Sequence, residues 1–136
     1  MAERARSEER GGPTGGVYEW YQRALSLIGR GSPAAAVPLL ERVTDAEPAS
    51  HSAREALGRA QYDAGRYAEA EESFASIVGE NPVDHYARFG LGLAATRNGD
   101  LDRAVKNLAL AVSLRPEHRQ YRSAYHAARA TRAARG

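Results

Sequence analysis

The sequence predicts an all-α solenoid of about seven helices, paired antiparallel and stacked into one domain. Three observations carry that expectation: landmarks recur every 34 residues, alanine is abundant with no segment reading as a strand, and Gly and Pro punctuate the chain at fixed intervals. Prolines stand at Pro48, Pro82 and Pro116, glycines at Gly31, Gly65 and Gly99, and alanines at Ala36, Ala70 and Ala104. Each alanine is followed four residues later by a large apolar side chain (Leu40, Phe74, Leu108). Leu57-Gly58 returns as Leu91-Gly92 after the same step. Landmarks sharing one period mean one structural unit used three times.

Each unit reads as a helix, a glycine turn and a second helix stopped by proline. The first helices are expected at 17–29, 51–64 and 85–98. Gly31, Gly65 and Gly99 fall just past their ends, where a left-handed residue is needed and glycine carries no Cβ penalty. Second helices follow at 33–47, 67–80 and 101–114. Pro33 suits a first helical turn, and Asp100 is placed to cap the third of these helices. The later prolines cannot continue a helix and push the residue before them out of helical geometry. Ala36/Leu40/Val43, Ala70/Phe74/Ile77 and Ala104/Leu108/Ala111 are spaced four then three, which is one helical face. Pro38 is a misfit inside its helix, close enough to the start to be accommodated with a local bend.

The ends frame the repeats. Residues 1–16 are charged and then Gly-rich with no apolar face, and are expected to form a disordered tail. Residues 117–133 carry Tyr121, Tyr125 and Ala128 on one stripe, as a helix capping the last repeat must. One domain over 17–133 is therefore expected, with repeats at 17–50, 51–84 and 85–118.

Composition narrows the function. The chain has 136 residues, 18 Arg with one Lys, 27 Ala, no Cys and a net charge of +2. The absence of Cys removes disulfides, thiolate metal sites and a Cys nucleophile. No apolar run approaches the ~18 residues of a membrane span, and the opening residues lack the apolar core of a signal peptide. A cytoplasmic protein with no membrane partner is the expectation.

The pattern resembles the tetratricopeptide repeat (TPR) family, whose 34-residue unit reads W-x₂-L-G-x₂-Y, A-x₃-F and P. The resemblance covers residues 17–118. Trp20 stands at the first Trp landmark; Arg54 and Arg88 replace it in the next two units, and Gln61 and Ala95 replace Tyr. The resemblance implies a right-handed α-solenoid whose first helices line a concave groove that binds peptides. It also excludes one subtype: where TPR domains that hold chaperone C-terminal carboxylates use Lys and Asn, this chain has Tyr21, Leu25, Ala56, Tyr86 and Gly90.

No convergent reactive set is visible, so the sequence predicts no catalysis, no cofactor and no metal site. There is no HExxH, no phosphate-binding glycine loop and no nucleotide-binding fingerprint. His51 and His85 occupy equivalent places in adjacent repeats. Packed helix axes lie about 8–10 Å apart, too far for those two imidazoles to share a metal, so they read as polar residues starting exposed helices. Glu69, Glu71 and Glu72 read as helix-dipole partners.

The concave stripe is where function is expected. It places Tyr18, Tyr21 and Leu25, then Glu55, Arg59, Tyr62 and Asp63, then Tyr86, Phe89, Leu93 and Arg97 along one surface. Aromatics and Arg are the commonest interface anchors, although several of these rings also serve packing between helices. The leading reading is a non-catalytic adaptor or scaffold that binds a protein or peptide segment there. A homodimer formed through the groove or a repeat edge is the alternative. The segment 115–136, with six Arg against one Glu, makes nucleic-acid contact a weaker third reading.

Overall fold

The computed structural model describes residues 16–136, so the predicted N-terminal tail, apart from Gly16, lies outside the described residues. Among these, seven helices and no strand occur: α1 (Val17–Gly29), α2 (Pro33–Ala46), α3 (His51–Asp63), α4 (Tyr67–Glu80), α5 (His85–Asn98), α6 (Leu101–Leu114) and α7 (Arg119–Arg135). The first six agree with the sequence reading to within one residue. The last begins two residues later than expected because Pro116 and Glu117 belong to the turn and His118 holds the N-cap in extended geometry (φ −75°, ψ 106°).

Two turn types alternate. After each first helix, Gly31, Gly65 and Gly99 adopt φ of 79°, 81° and 81°. The next N–H then closes back on the helix: Ser32 to Leu27 O at 2.8 Å, Arg66 to Gln61 O at 2.8 Å, Asp100 to Ala95 O at 2.9 Å. This closure satisfies carbonyls left open by a helix end. After each second helix, a proline turn is closed by Ser50 N–H to Glu47 O at 3.0 Å, Asp84 to Asn81 O at 3.1 Å and His118 to Arg115 O at 3.2 Å. Proline suits the second position of such a turn because its φ is already set. The Ser50, Asp84 and Asp100 side chains cap α3, α5 and α6 by accepting from the N–H three residues on. Helix α2 runs through Pro38 without interruption.

Successive first helices touch one another (α1 with α3, α3 with α5, α5 with α7), whereas among the described residues no second helix touches another second helix. Each second helix packs only on the first helices before and after it. The first helices therefore form the inner layer and the second helices the outer one.

Phe74, 2% exposed, is the largest of the fully buried side chains. Its ring lies between α3 and α5: a Cβ added at Gly58 would sit 3.0 Å from the ring, and one added at Gly90 only 2.6 Å away. One repeat later Leu108 takes the place of Phe74, against Gly92, where a Cβ would meet it at 2.5 Å. One repeat earlier, Leu40 shares a cluster with Ala24 at the corresponding place. Helix α7 closes the stack: Tyr121 and Ala128 are buried, with Ala124, Tyr125 and Phe89 packed beside the α5–α6 core.

The departures from the family pattern become polar links within repeats. Arg54 hydrogen-bonds Ser76 and pairs with Glu80 at 2.6 Å. Arg88 donates to Pro82 O and to Asn107 Oδ1, both at 2.9 Å. Buried Gln61 accepts from the Ser73 hydroxyl at 2.6 Å. The acids of α4 do more than complement its dipole: Glu71 reaches the next repeat, pairing with Arg103 and accepting from Asn98, both at 2.6 Å.

Gly90→Ala should therefore lower stability by about 1–3 kcal/mol through overpacking on Phe74. Gly79→Ala, in a helix with nothing within 4 Å of the added Cβ, should raise it by roughly 0.5–1 kcal/mol. Urea unfolding of both variants checks the contrast. Deleting 117–136 should lower the thermal midpoint and cause aggregation, since burial of Tyr121 alone is worth about 1.5–3 kcal/mol. Unchanged melting and light scattering would remove the capping role from α7.

Candidate functional site

The inner layer carries three hollows in succession. The first, about 170 Å³, lies between the start of α1 and the α2–α3 turn, and includes Tyr18, Tyr21 and Glu47. The second, about 300 Å³, is formed by Tyr21, Leu25, Ile28, Glu55, Arg59 and Tyr86. The third and largest, about 690 Å³, has Phe74, Phe89 and Leu93 as its apolar part, with Arg59, Tyr62, Asp63 and Tyr86 around them. Tyr21 belongs to the first two, and Arg59 and Tyr86 to the last two, so the hollows adjoin in a row that makes up a channel along the inner helices.

Ten of the eleven residues named from sequence line this channel. Arg97 does not. Its side chain turns along the inner layer, with the guanidinium 5.2 Å from the Tyr67 ring centre and Nε 3.4 Å from the Tyr62 hydroxyl. Sequence reasoning missed the far wall, where Arg119, Gln120, Ser123 and Ala124 of α7 complete the largest hollow. The signal was present: the 34-residue step carries Tyr86 and Phe89 onto Gln120 and Ser123.

The rings are braced as well as displayed. Phe74 meets Tyr86 edge-on at 6.1 Å, Tyr86 lies 6.5 Å from Phe89, and Phe89 stacks on Tyr121 at 4.6 Å. Pairs at such distances are attractive beyond their burial. Tyr86 and Phe89 are half-buried, whereas Tyr18 is 73% and Leu25 38% exposed. Burial pushes the Tyr86 hydroxyl up from its ordinary value, with Arg59 opposing, so it is a neutral donor and acceptor at physiological pH. Arg59 and Asp63 approach at 3.8 Å with both side chains well exposed, a pair that contributes little to stability and is open to competition by a ligand.

At the start of α3, His51 is more than an exposed polar residue. Its Nε2 lies 3.0 Å from Asp84 Oδ2 and 3.4 Å from Glu55 Oε2. Partial burial raises the Glu55 carboxyl; His51 pulls it down and Asp84 pushes it up. His85 is turned elsewhere, its Nδ1 hydrogen-bonded to the Tyr121 hydroxyl at 2.8 Å.

The tetratricopeptide repeat family model matches residues 21–85 and 57–119, spans that together run from 21 to 119. The chain belongs to the tetratricopeptide repeat family. Among solved structures it is similar to MamA (residues 41 to the end) from Desulfovibrio magneticus RS-1, with a TM-score of 0.81, 23% identity, and coverage of 86% of this chain and 66% of that one. It is similar also to the first TPR domain of Spaghetti (RPAP3) bound to an HSP90 peptide, with a TM-score of 0.79, 17% identity, and coverage of 86% and 93%. A third is YrrB, described as a TPR protein with an unusual peptide-binding site, with a TM-score of 0.75, 23% identity, and coverage of 85% and 58%. This TPR chain thus spans about two thirds of the MamA structure. No curated protein matches it significantly. No helix among the described residues is long and apolar enough to cross a membrane.

Arg59→Glu should change folding stability by no more than about 0.5 kcal/mol. Arg97→Glu, which loses a ring contact, should lower stability slightly and leave the helix content unchanged. Circular dichroism and urea unfolding of the two variants check both outcomes.

Proposed function

We propose that this TPR domain is a non-catalytic adaptor of the cytoplasm that holds a segment of another protein along its inner channel. The observation that carries the reading is the row of three adjoining hollows, with apolar rings in the largest and guanidinium groups beside them. Arg and aromatic side chains in a concavity are the usual anchors of a protein interface. Preformed helices keep the ordering cost on the receptor side small. The similar RPAP3 and YrrB structures are of peptide-binding TPR domains, which supports a peptide ligand as the class of partner. The HSP90 peptide of the RPAP3 structure is not proposed as the ligand, since this chain has Tyr21, Leu25, Ala56, Tyr86 and Gly90 where the family resemblance puts the carboxylate clamp. The cytoplasmic setting rests on the sequence reading alone.

Arg59 and Arg119 flank the largest hollow, with Asp63 as its one acidic residue. The segment that suits it combines an apolar anchor, seated against Phe89 and Leu93, with a carboxylate facing the two guanidinium groups. Arg97, set apart from the hollow, is proposed as a rim contact of smaller weight.

The test is affinity capture from nuclease-treated native lysate with wild type, Arg59→Glu/Arg119→Glu and Arg97→Glu, followed by calorimetry with a synthetic peptide from the captured partner. The expected result is one peptide per chain, bound at least tenfold more weakly by the double variant and less than threefold more weakly by Arg97→Glu. Recovery of the bait alone would replace this reading by self-association. A partner held equally well by the double variant would move the interface off the channel.

A further inference from the structure

The three side chains at the second inter-repeat turn form a donor set of their own. His51 and Glu55 stand one turn apart on α3, and Asp84 is the N-cap of α5. One nitrogen, His51 Nε2, faces a carboxylate oxygen of each acid, and the three donor atoms all lie within 4.8 Å of one another. From this geometry we infer a binding site for a divalent transition metal of the zinc class, with His51 Nε2, Glu55 Oε2 and Asp84 Oδ2 as its ligands. It shares Glu55 with the second hollow but does not need the adaptor reading to hold, and it departs from the expectation of no metal drawn from the sequence.

Three features of the cluster support this. A metal at about 2.0–2.2 Å from nitrogen and oxygen donors in tetrahedral array sets its ligands about 3.3–3.6 Å apart. The His51–Glu55 contact, 3.4 Å, has that spacing, and the His51–Asp84 contact, 3.0 Å, is a few tenths of an ångström short of it. The second feature is charge. Among the described residues neither Glu55 nor Asp84 is paired with an Arg or Lys; both turn to the one imidazole. Arg59 pairs with Asp63, and His85 hydrogen-bonds Tyr121. Two acid side chains thus converge on one imidazole, an arrangement whose negative charge a divalent cation offsets. One N–H directed at two acceptors satisfies only one of them well, whereas a metal binds all three donors.

The third feature is positioning. Asp84 is fixed by its cap, since Oδ1 accepts from Ala87 N–H at 3.0 Å while Oδ2 faces His51. A ligand with its second oxygen so engaged is held in orientation before a metal arrives. The His51 side chain is 51% exposed, which leaves the fourth coordination place to water or to a partner's donor group. Imidazole with two carboxylates suits zinc, nickel or cobalt and does not suit magnesium, which prefers oxygen alone. The site joins α3 to the N-cap of α5 and so ties the second repeat to the third.

The test uses the full chain without a histidine tag, titrated with ZnCl₂ by calorimetry at pH 7.5, with Co²⁺ absorption as the geometric readout. One metal per chain is expected, together with the intense visible bands of a four-coordinate Co²⁺ site and a thermal midpoint that rises with Zn²⁺. His51→Ala should weaken Zn²⁺ binding at least tenfold. Asp84→Asn should weaken it comparably while keeping the helix cap, because Asn caps as well as Asp. His118→Ala/His126→Ala should bind as wild type does, and MgCl₂ should give no heat of binding. Absence of saturable Zn²⁺ binding, unchanged affinity in His51→Ala, or loss of the metal in the His118/His126 variant would each overturn the assignment.

Discussion

The seat of the Phe74 ring between Gly58 and Gly90 is the constraint on which the rest of the molecule depends. A benzyl side chain at the outer-to-inner crossing needs both neighbouring inner helices to present bare backbone, and a single methyl group on either would meet the ring at 3.0 Å or less. Those two glycines let α3 and α5 approach closely enough to touch along the inner layer. The same wedge recurs as Leu108 against Gly92. Phe74 and Leu108 of the outer helices thus seat against bare backbone of the inner helices, whose aromatic side chains line the hollows.

Around that wedge the chain has replaced the family's aromatic packing by hydrogen bonds. Arg54 and Arg88, at Trp landmarks, bridge the two helices of their own repeats, and Gln61 does so through Ser73. The Arg88 guanidinium satisfies the Oδ1 of buried Asn107, while the partners of Arg54 are exposed, and among the described residues no buried side-chain nitrogen or oxygen lacks a partner. Polar links also run from one repeat to the next: Glu71 with Arg103 and Asn98, Arg97 with Tyr62, and His51 with the α5 N-cap Asp84. In a nearest-neighbour array such links decide how strongly one unit reports on the next.

The 34-residue period made the helices, both turn types and the outer-helix core readable, because each depends on local chemistry repeated at one spacing. Phe74 and its Ala70 partner position are identifiable from an A-x₃-F pattern without any structure. The groove residues were readable from the same period, and Arg97 fell outside the channel because Tyr62 and Tyr67 of the preceding repeat offered its guanidinium a closer partner. The His51 cluster was hidden for a geometric reason. Comparing equivalent positions pairs His51 with His85, but the side chain that meets His51 is the residue before His85, the N-cap of the next repeat. Contacts between non-equivalent positions depend on the turn register, which periodicity alone does not show.

The largest hollow is lined asymmetrically. Repeats two and three supply Phe74, Tyr86, Phe89 and Leu93, while α7 supplies Arg119, Gln120 and Ser123. A capping helix that ignored the channel would need only its buried stripe of Tyr121 and Ala128. In this chain the cap also forms a wall of the largest hollow. Under the proposed adaptor reading, a segment crossing that hollow meets aromatic rings on one side and hydrogen-bonding groups on the other. That arrangement favours one orientation of the bound chain over its reverse, because reversal would set its apolar anchor against Arg119 and Gln120 and leave its polar groups on Phe89 and Leu93 without partners.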